Sequence, residues 1–144
     1  MKKSKLFLLF LIVINLLLYG VPLYHSYNSF QNLVLDRIDD TQITSIRVLK
    51  SSNEQEIKVD DPKEIEKIIH EFSDVKLKRS DASERPAETY WIRIYVNKDQ
   101  RFGMTLYGTD YLYFSDRSSN SKYHSGNFKI TSKFDGESIT SLFK

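Results

Sequence analysis

The sequence predicts an α+β fold: an N-terminal transmembrane helix, then a mainly antiparallel sheet built from a hairpin, a helix and a four-stranded meander, closed by a short C-terminal helix. Three observations carry that expectation. Residues 6–24 read LFLLFLIVINLLLYGVPLY with no charge among them. Further on, Ile65, Ile68, Ile69 and Phe72 recur at the three–four spacing of one helical stripe. Four runs between residues 90 and 131 then alternate apolar and polar side chains at the period of a strand, with links too short for parallel crossovers.

The apolar run comes first. As a helix, residues 6–24 rise about 28 Å, close to the ~30 Å hydrocarbon core of a bilayer, and a helix satisfies its own backbone polar groups in lipid. Lys2, Lys3 and Lys5 precede the run, and no charge follows until Asp36. The positive-inside rule then places the N-terminus in the cytoplasm and the rest of the chain outside. Tyr19, Tyr24 and Tyr27 suit the outer interface, Pro22 falls near the far end, and Asn15 is a single polar residue placed to face a partner helix. The competing reading is a cleaved signal peptide. Against it, the small residues of a cleavage site are missing: the first alanine of the chain is Ala82, and Pro22 follows Gly20 closely. The expected organisation is a cytoplasmic basic tail over residues 1–5, a signal anchor over 6–27, a stalk over 28–40 and one extracytoplasmic domain over 41–144.

Charge and cysteine content narrow the function. The formal charge of the 144-residue chain is +2, and without Lys2, Lys3 and Lys5 the remainder holds 18 basic against 19 acidic residues. That balance argues against nucleic acid as a partner, which calls for a basic stripe, and against a polybasic grip on lipid headgroups. The absence of cysteine excludes a lipid-bearing cysteine, disulfides, thiol catalysis and Cys-based zinc sites.

The soluble elements follow in order. In residues 25–35, Phe30, Leu33 and Val34 are spaced for a helix that continues or follows the anchor as a stalk, and the same spacing fits a partner-facing seam. Residues 42–49 and 54–59 are β-rich and flank a polar turn, which predicts a hairpin. Asp61 as N-cap, Pro62 at the first helical position and Glu64 three after the cap start the amphipathic helix. Residues 75–79 suggest a short edge strand that Lys76, Lys78 and Arg79 would protect from foreign pairing. Residues 80–89, SDASERPAET, are a loop. The meander takes residues 90–96, 101–107, 111–115 and 123–131, with Gly126 marking a bulge and 116–122 a loop. Its inner parity carries Ile92, Ile94, Phe102, Met104, Leu112, Phe114, Phe128 and Ile130. Asp135 caps a closing helix with Ile139, Leu142 and Phe143 on one stripe.

The outward parity of the meander holds the candidate binding residues: Trp91, Arg93 and Tyr95 on the first strand, Tyr107 on the second, Tyr111 and Tyr113 on the third. Rings with polar tips beside a guanidinium favour recognition of protein or sugar. The bland reading is that a helix or the stalk covers this face, or that tyrosine is there for its strand propensity. No catalytic constellation is legible. His25, His70 and His124 share no ligand spacing, and the carboxylate pairs Asp39–Asp40, Glu54/Glu56, Asp60–Asp61 and Glu64/Glu66 fit solvated faces and helix caps. Ser118 and Ser121 belong to no nucleophile motif, and there is no glycine-rich phosphate loop. The expectation is a non-enzyme without cofactor or metal. Its expected partners are membrane lipid through the N-terminal helix and a protein or cell-wall component through the sheet.

The order of parts carries a resemblance: an export segment, a hairpin from Ile43 to Val59, the Asp61-Pro62-Lys63-Glu64-Ile65 helix start, a meander from Tyr90 to Thr131 and a tail helix from Asp135 to Phe143. In this it resembles the small, mostly uncharacterised extracytoplasmic proteins of Bacillus-type Gram-positive bacteria. Many of those are lipoproteins, and this chain departs from them in having no cysteine. The resemblance implies an envelope location and no activity. Three readings follow: a single-pass binding protein, an immunity or inhibitor protein sharing that binding chemistry, and a cell-envelope hydrolase assembled from distant groups such as His124.

Overall fold

In the computed structural model, which describes residues 2–39, 42–81, 86, 88–120 and 124–144, the apolar run forms one helical rod. It comprises α1 (Lys2–Asn15), a π-helical turn (Leu16–Gly20) and α2 (Val21–Ser26). Pro22 lacks the amide hydrogen that an α turn would use, and the wider turn lies just before it. Asn15 donates through Nδ2 to its own helix, at the Leu11 carbonyl 2.8 Å away. The 22 residues Lys3–Tyr24 are long and apolar enough to cross a bilayer, and their apolar window is 0% buried against the rest of the chain.

Among the described residues, eight strands and three more α-helices make the domain, with a 3₁₀ turn at Leu35–Arg37. The strands are β1 (Tyr27–Ser29), β2 (Ile43–Lys50), β3 (Gln55–Val59), β4 (Lys76–Arg79), β5 (Thr89–Val96), β6 (Asp99–Tyr107), β7 (Tyr111–Asp116) and β8 (Gly126–Ile130). The helices are α3 (Phe30–Leu33), α4 (Pro62–Ser73) and α5 (Glu137–Thr140), the last continuing into a 3₁₀ turn, Ser141–Phe143. All strands join one antiparallel sheet in the order β1-β4-β8-β7-β6-β5-β2-β3. The expected hairpin, helix, meander and closing helix are all present, with β1 as an additional strand.

One face of the sheet is the core. Asp61 caps α4, its Oδ1 accepting from the amides of Lys63 at 2.9 Å and Glu64 at 3.2 Å. The helix lays Ile65, Ile68, Ile69 and Phe72 onto the sheet, all buried. Beneath it lie Ile46, Val48, Ile92, Ile94, Phe102 and Phe114, each no more than 1% exposed. Ile139 of α5 closes the same core.

The segment between rod and sheet differs from the expected stalk. α2 ends at Ser26 and β1 starts at the next residue, pairing with β4 as Tyr27↔Lys78 and Ser29↔Lys76. Ser29 then caps α3, its Oγ accepting from the Asn32 amide at 3.2 Å. Phe30, Leu33 and Val34 are 1%, 1% and 0% exposed, and the Phe30 ring lies 5.3 Å from that of Phe72. A three–four apolar spacing reads the same whether a helix faces a partner or its own core, and here the core takes it. The domain therefore starts at Tyr27, not at residue 41.

Three smaller corrections follow from the register. β4 is not an edge strand, because β1 covers its outer side. Gly126 marks no bulge: Gly126↔Phe114 through Tyr111↔Lys129 run in register, and the irregularities fall instead at Ile43/Ser45 and Ile94/Tyr95. Asp135 accepts from the Glu137 amide at 3.1 Å, while Gly136, at φ 68°, occupies the cap position of α5. Residues 82–85 and 87 of the expected loop, and 121–123, including the expected strand start at Tyr123, lie outside the described residues.

Candidate binding face

The other face of the sheet carries every residue singled out for recognition. Strand alternation puts Trp91, Arg93 and Tyr95 of β5 outward, because Tyr90, Ile92, Ile94 and Val96 are committed to the core. Cross-strand register then builds rows. In one row Leu49, Trp91, Thr105, Tyr113 and Asn127 stand side by side. In the next, Arg47, Arg93, Gly103 and Ser115 do so. Tyr107 and Tyr111 face each other across β6 and β7, flanked by Thr89 and Lys129. All these side chains are half-buried or exposed, with Trp91 at 46% and Tyr113 at 38%.

Two features shape the middle of this face. Gly103 sits between Arg93 and Ser115, and a Cβ there would lie 3.0 Å from Ser115 Oγ, so the glycine lets the Ser115 hydroxyl close over the strand, where it donates to the Gly103 carbonyl at 3.4 Å. Arg47 and Arg93 stand directly opposite each other, an arrangement that repels. Glu56 of β3 offsets it, receiving Arg47 Nη1 at 3.6 Å and Arg93 Nη1 at 3.8 Å. The Arg47 guanidinium also lies over the Tyr95 ring, 5.3 Å from its centre. The six expected residues thus share one surface, with Trp91 and Tyr113 flanking Thr105 and Tyr95 displaced by the bulge beside it.

A second polar cluster was not legible from the sequence. Asp116, expected in a loop, ends β7 with no side-chain exposure. It accepts from the Ser118 amide and hydroxyl, both at 2.9 Å, and from Arg101 Nε at 3.1 Å, and Arg37 forms an ion pair with its other oxygen. Burial alone would raise its pKa, but the two Ser118 donors with Arg37 and Arg101 outweigh burial and hold the carboxyl below its ordinary value. The available signal was parity, since Leu112, Phe114 and Asp116 alternate onto the inner face.

His70 and His124 lie on separate segments, and the His25 side chain lies outside what the structure describes. His70 is exposed on α4, and His124 lies beside Ser119, Nδ1 to Oγ 3.1 Å. That pair has the atoms of a nucleophile and base, but Asp116 turns to Ser118 and the two arginines rather than to the imidazole. Among the described residues no three His, Cys, Asp or Glu side chains group as metal ligands.

Residues 32–124 match the family model DUF5301, described as "Domain of unknown function (DUF5300)", over more than half of the chain. The chain belongs to the DUF5301 family. No curated protein and no solved structure matches it. The DUF5301 match begins inside α3 and runs to His124, so it takes in α4 and β2 to β7, including the whole Trp91–Tyr113 face. Its start at residue 32 also agrees with α3 belonging to the domain.

Proposed function

We propose that this protein is a single-pass membrane protein whose outer domain is a non-catalytic binding module, with the face around Trp91, Arg93, Tyr95, Tyr107, Tyr111 and Tyr113 taking a protein or cell-wall partner. The observation that carries the reading is the uncovered pair of large rings, Trp91 at 46% and Tyr113 at 38% exposure, on a rigid sheet whose other face is the core. Aromatic residues on a preformed surface give contact area at low entropic cost. Membrane attachment rests on the apolar rod Lys3–Tyr24. The three lysines before the rod support a cytoplasmic N-terminus and an extracytoplasmic domain.

The test is the double variant Trp91→Ala with Tyr95→Ala in the full chain. Both side chains leave the core untouched, so thermal unfolding stays close to that of the parent while crosslinking capture of the partner is lost. Capture that persists at parental yield counts against the face.

A further inference from the structure

Among the described residues, the like-charge row on the same sheet face, next to the apolar rod, has no carboxylate partner. Register places Lys78 of β4 directly opposite Lys129 of β8, with Tyr27 on one side of the pair and Tyr111 on the other. Both ammonium groups are exposed. Lys78 Nζ lies 5.6 Å from the centre of the Tyr27 ring, and among the described residues no carboxylate pairs with either lysine. Like charges directly opposite in an antiparallel pair are unfavourable. The comparable pair Arg47↔Arg93 is bridged by Glu56, whereas Lys78↔Lys129 is not. Protection of a sheet edge does not account for these lysines, since β1 already covers β4.

Position supplies the missing anion. Tyr27 directly follows the last residue of α2, so this corner lies where the rod leaves the hydrocarbon. Beside it a cleft of about 620 Å³ is walled by Tyr24 of the rod, Asn28, Asn32 and Lys76. Tyrosine and lysine together at that depth match the headgroup layer, the ring at the boundary and the ammonium toward phosphate. The near-neutral charge of the domain, which argues against a polybasic grip, conceals this local concentration.

We propose that Lys76, Lys78 and Lys129, with Tyr27 and Tyr111, form a seat for anionic phospholipid headgroups that holds the sheet against the membrane surface. The proposal rests on the rod being a retained anchor. The seat fixes the domain's orientation and turns the Trp91 and Arg93 rows, farther along the strands, toward a partner.

The full chain in nanodiscs of phosphatidylcholine, with or without phosphatidylglycerol, tests this. Acetylation of each lysine is followed by peptide mass spectrometry. Phosphatidylglycerol is expected to slow Lys78 and Lys129 by about fivefold, leaving Lys63 on α4 unchanged. It also raises the melting temperature of the parent but not of the Lys78→Gln, Lys129→Gln double variant, which in phosphatidylcholine alone is at least as stable as the parent. Equal rates in both discs overturn the seat. So does an equal slowing by inorganic phosphate in phosphatidylcholine discs, which would mark a simple phosphate site. Mature protein purified from membranes without residues 2–26 overturns the anchor reading and the seat with it; an intact chain with equal rates overturns the seat alone.

Discussion

Arg37, in the turn after α3, closes onto the buried carboxylate of Asp116 at the end of β7. The contact ties the segment that follows the apolar rod to the centre of the sheet, and Arg101 of β6 completes it from the other oxygen. Removing one member of a buried pair leaves the others unmatched, which costs roughly 3 kcal/mol. Asp116→Asn is expected to lose about that much by chemical denaturation. The pH dependence has a definite sign. The folded-state pKa lies below the ordinary 3.8, so the stabilisation is full above that value and drains away as pH falls through the folded value. Between pH 5 and the acid transition, the stability of Asp116→Asn should therefore fall less steeply than that of the parent.

Residues 27–34 belong to the fold, so truncation separates two outcomes. A chain starting at Tyr27 keeps β1, the Ser29 cap and the buried side chains of α3, and is expected to fold cooperatively. A chain starting at residue 41 exposes the surface that Phe30, Leu33 and Val34 cover and should aggregate or unfold. Within the full chain, Phe30→Ala removes a ring that is 1% exposed and packed on Phe72, a loss of about 3–5 kcal/mol by thermal or chemical melts.

Those same residues show where sequence reading ends. The meander was legible because Ile92, Ile94, Phe102, Met104, Leu112 and Phe114 alternate strictly, and α4 because cap and stripe coincide at Asp61 and Ile65–Phe72. The face of Trp91, Arg93 and Tyr113 followed from the same parity. Periodicity names a face, however, and does not say what covers it. Phe30, Leu33 and Val34 were apolar at helical spacing in a segment too short to declare a destination. The pairing of β1 with β4 is decided by contacts some fifty residues apart, visible only once the sheet is assembled. Asp116 was missed because a charged residue at a strand end reads as a turn unless its counter-ions, Arg37 and Arg101, are known to converge there.

Two glycines of the meander should respond differently to alanine. Gly126 has φ of 136°, and a Cβ would fall 2.5 Å from Arg79 Nη1, which donates to the Ser125 carbonyl at 3.0 Å. Gly126→Ala is expected to cost roughly 1–3 kcal/mol. Gly103 has an ordinary strand conformation, and a Cβ there would meet the rotatable hydroxyl of Ser115 at 3.0 Å and Gln100 Nε2 at 3.9 Å. Gly103→Ala should stay within about 0.5 kcal/mol of the parent, because the Ser115 hydroxyl can rotate away from the new methyl group, and the melting temperature checks this.

Glu56 sets the charge in the middle of the candidate face. It is half-exposed and bridges Arg47 and Arg93 at 3.6 and 3.8 Å, so its pairs contribute at most about 1 kcal/mol. Glu56→Gln is expected to leave the melting temperature almost unchanged, because both arginines keep access to water. The surface, in contrast, loses the carboxylate between its two guanidinium groups. Lys58, opposite Arg47 on the same face, is offset by Asp60, 2.9 Å from its Nζ, so the change falls on the two guanidinium groups. An acidic partner should then associate faster with the variant at low ionic strength, and the gain should vanish as added salt shortens the Debye length and screens the two surfaces from each other. Surface-plasmon association rates measured across a salt series check this. A rate that falls on Glu56→Gln would mean that the partner presents its own cation to this face, and that Glu56 rather than Arg93 makes the contact.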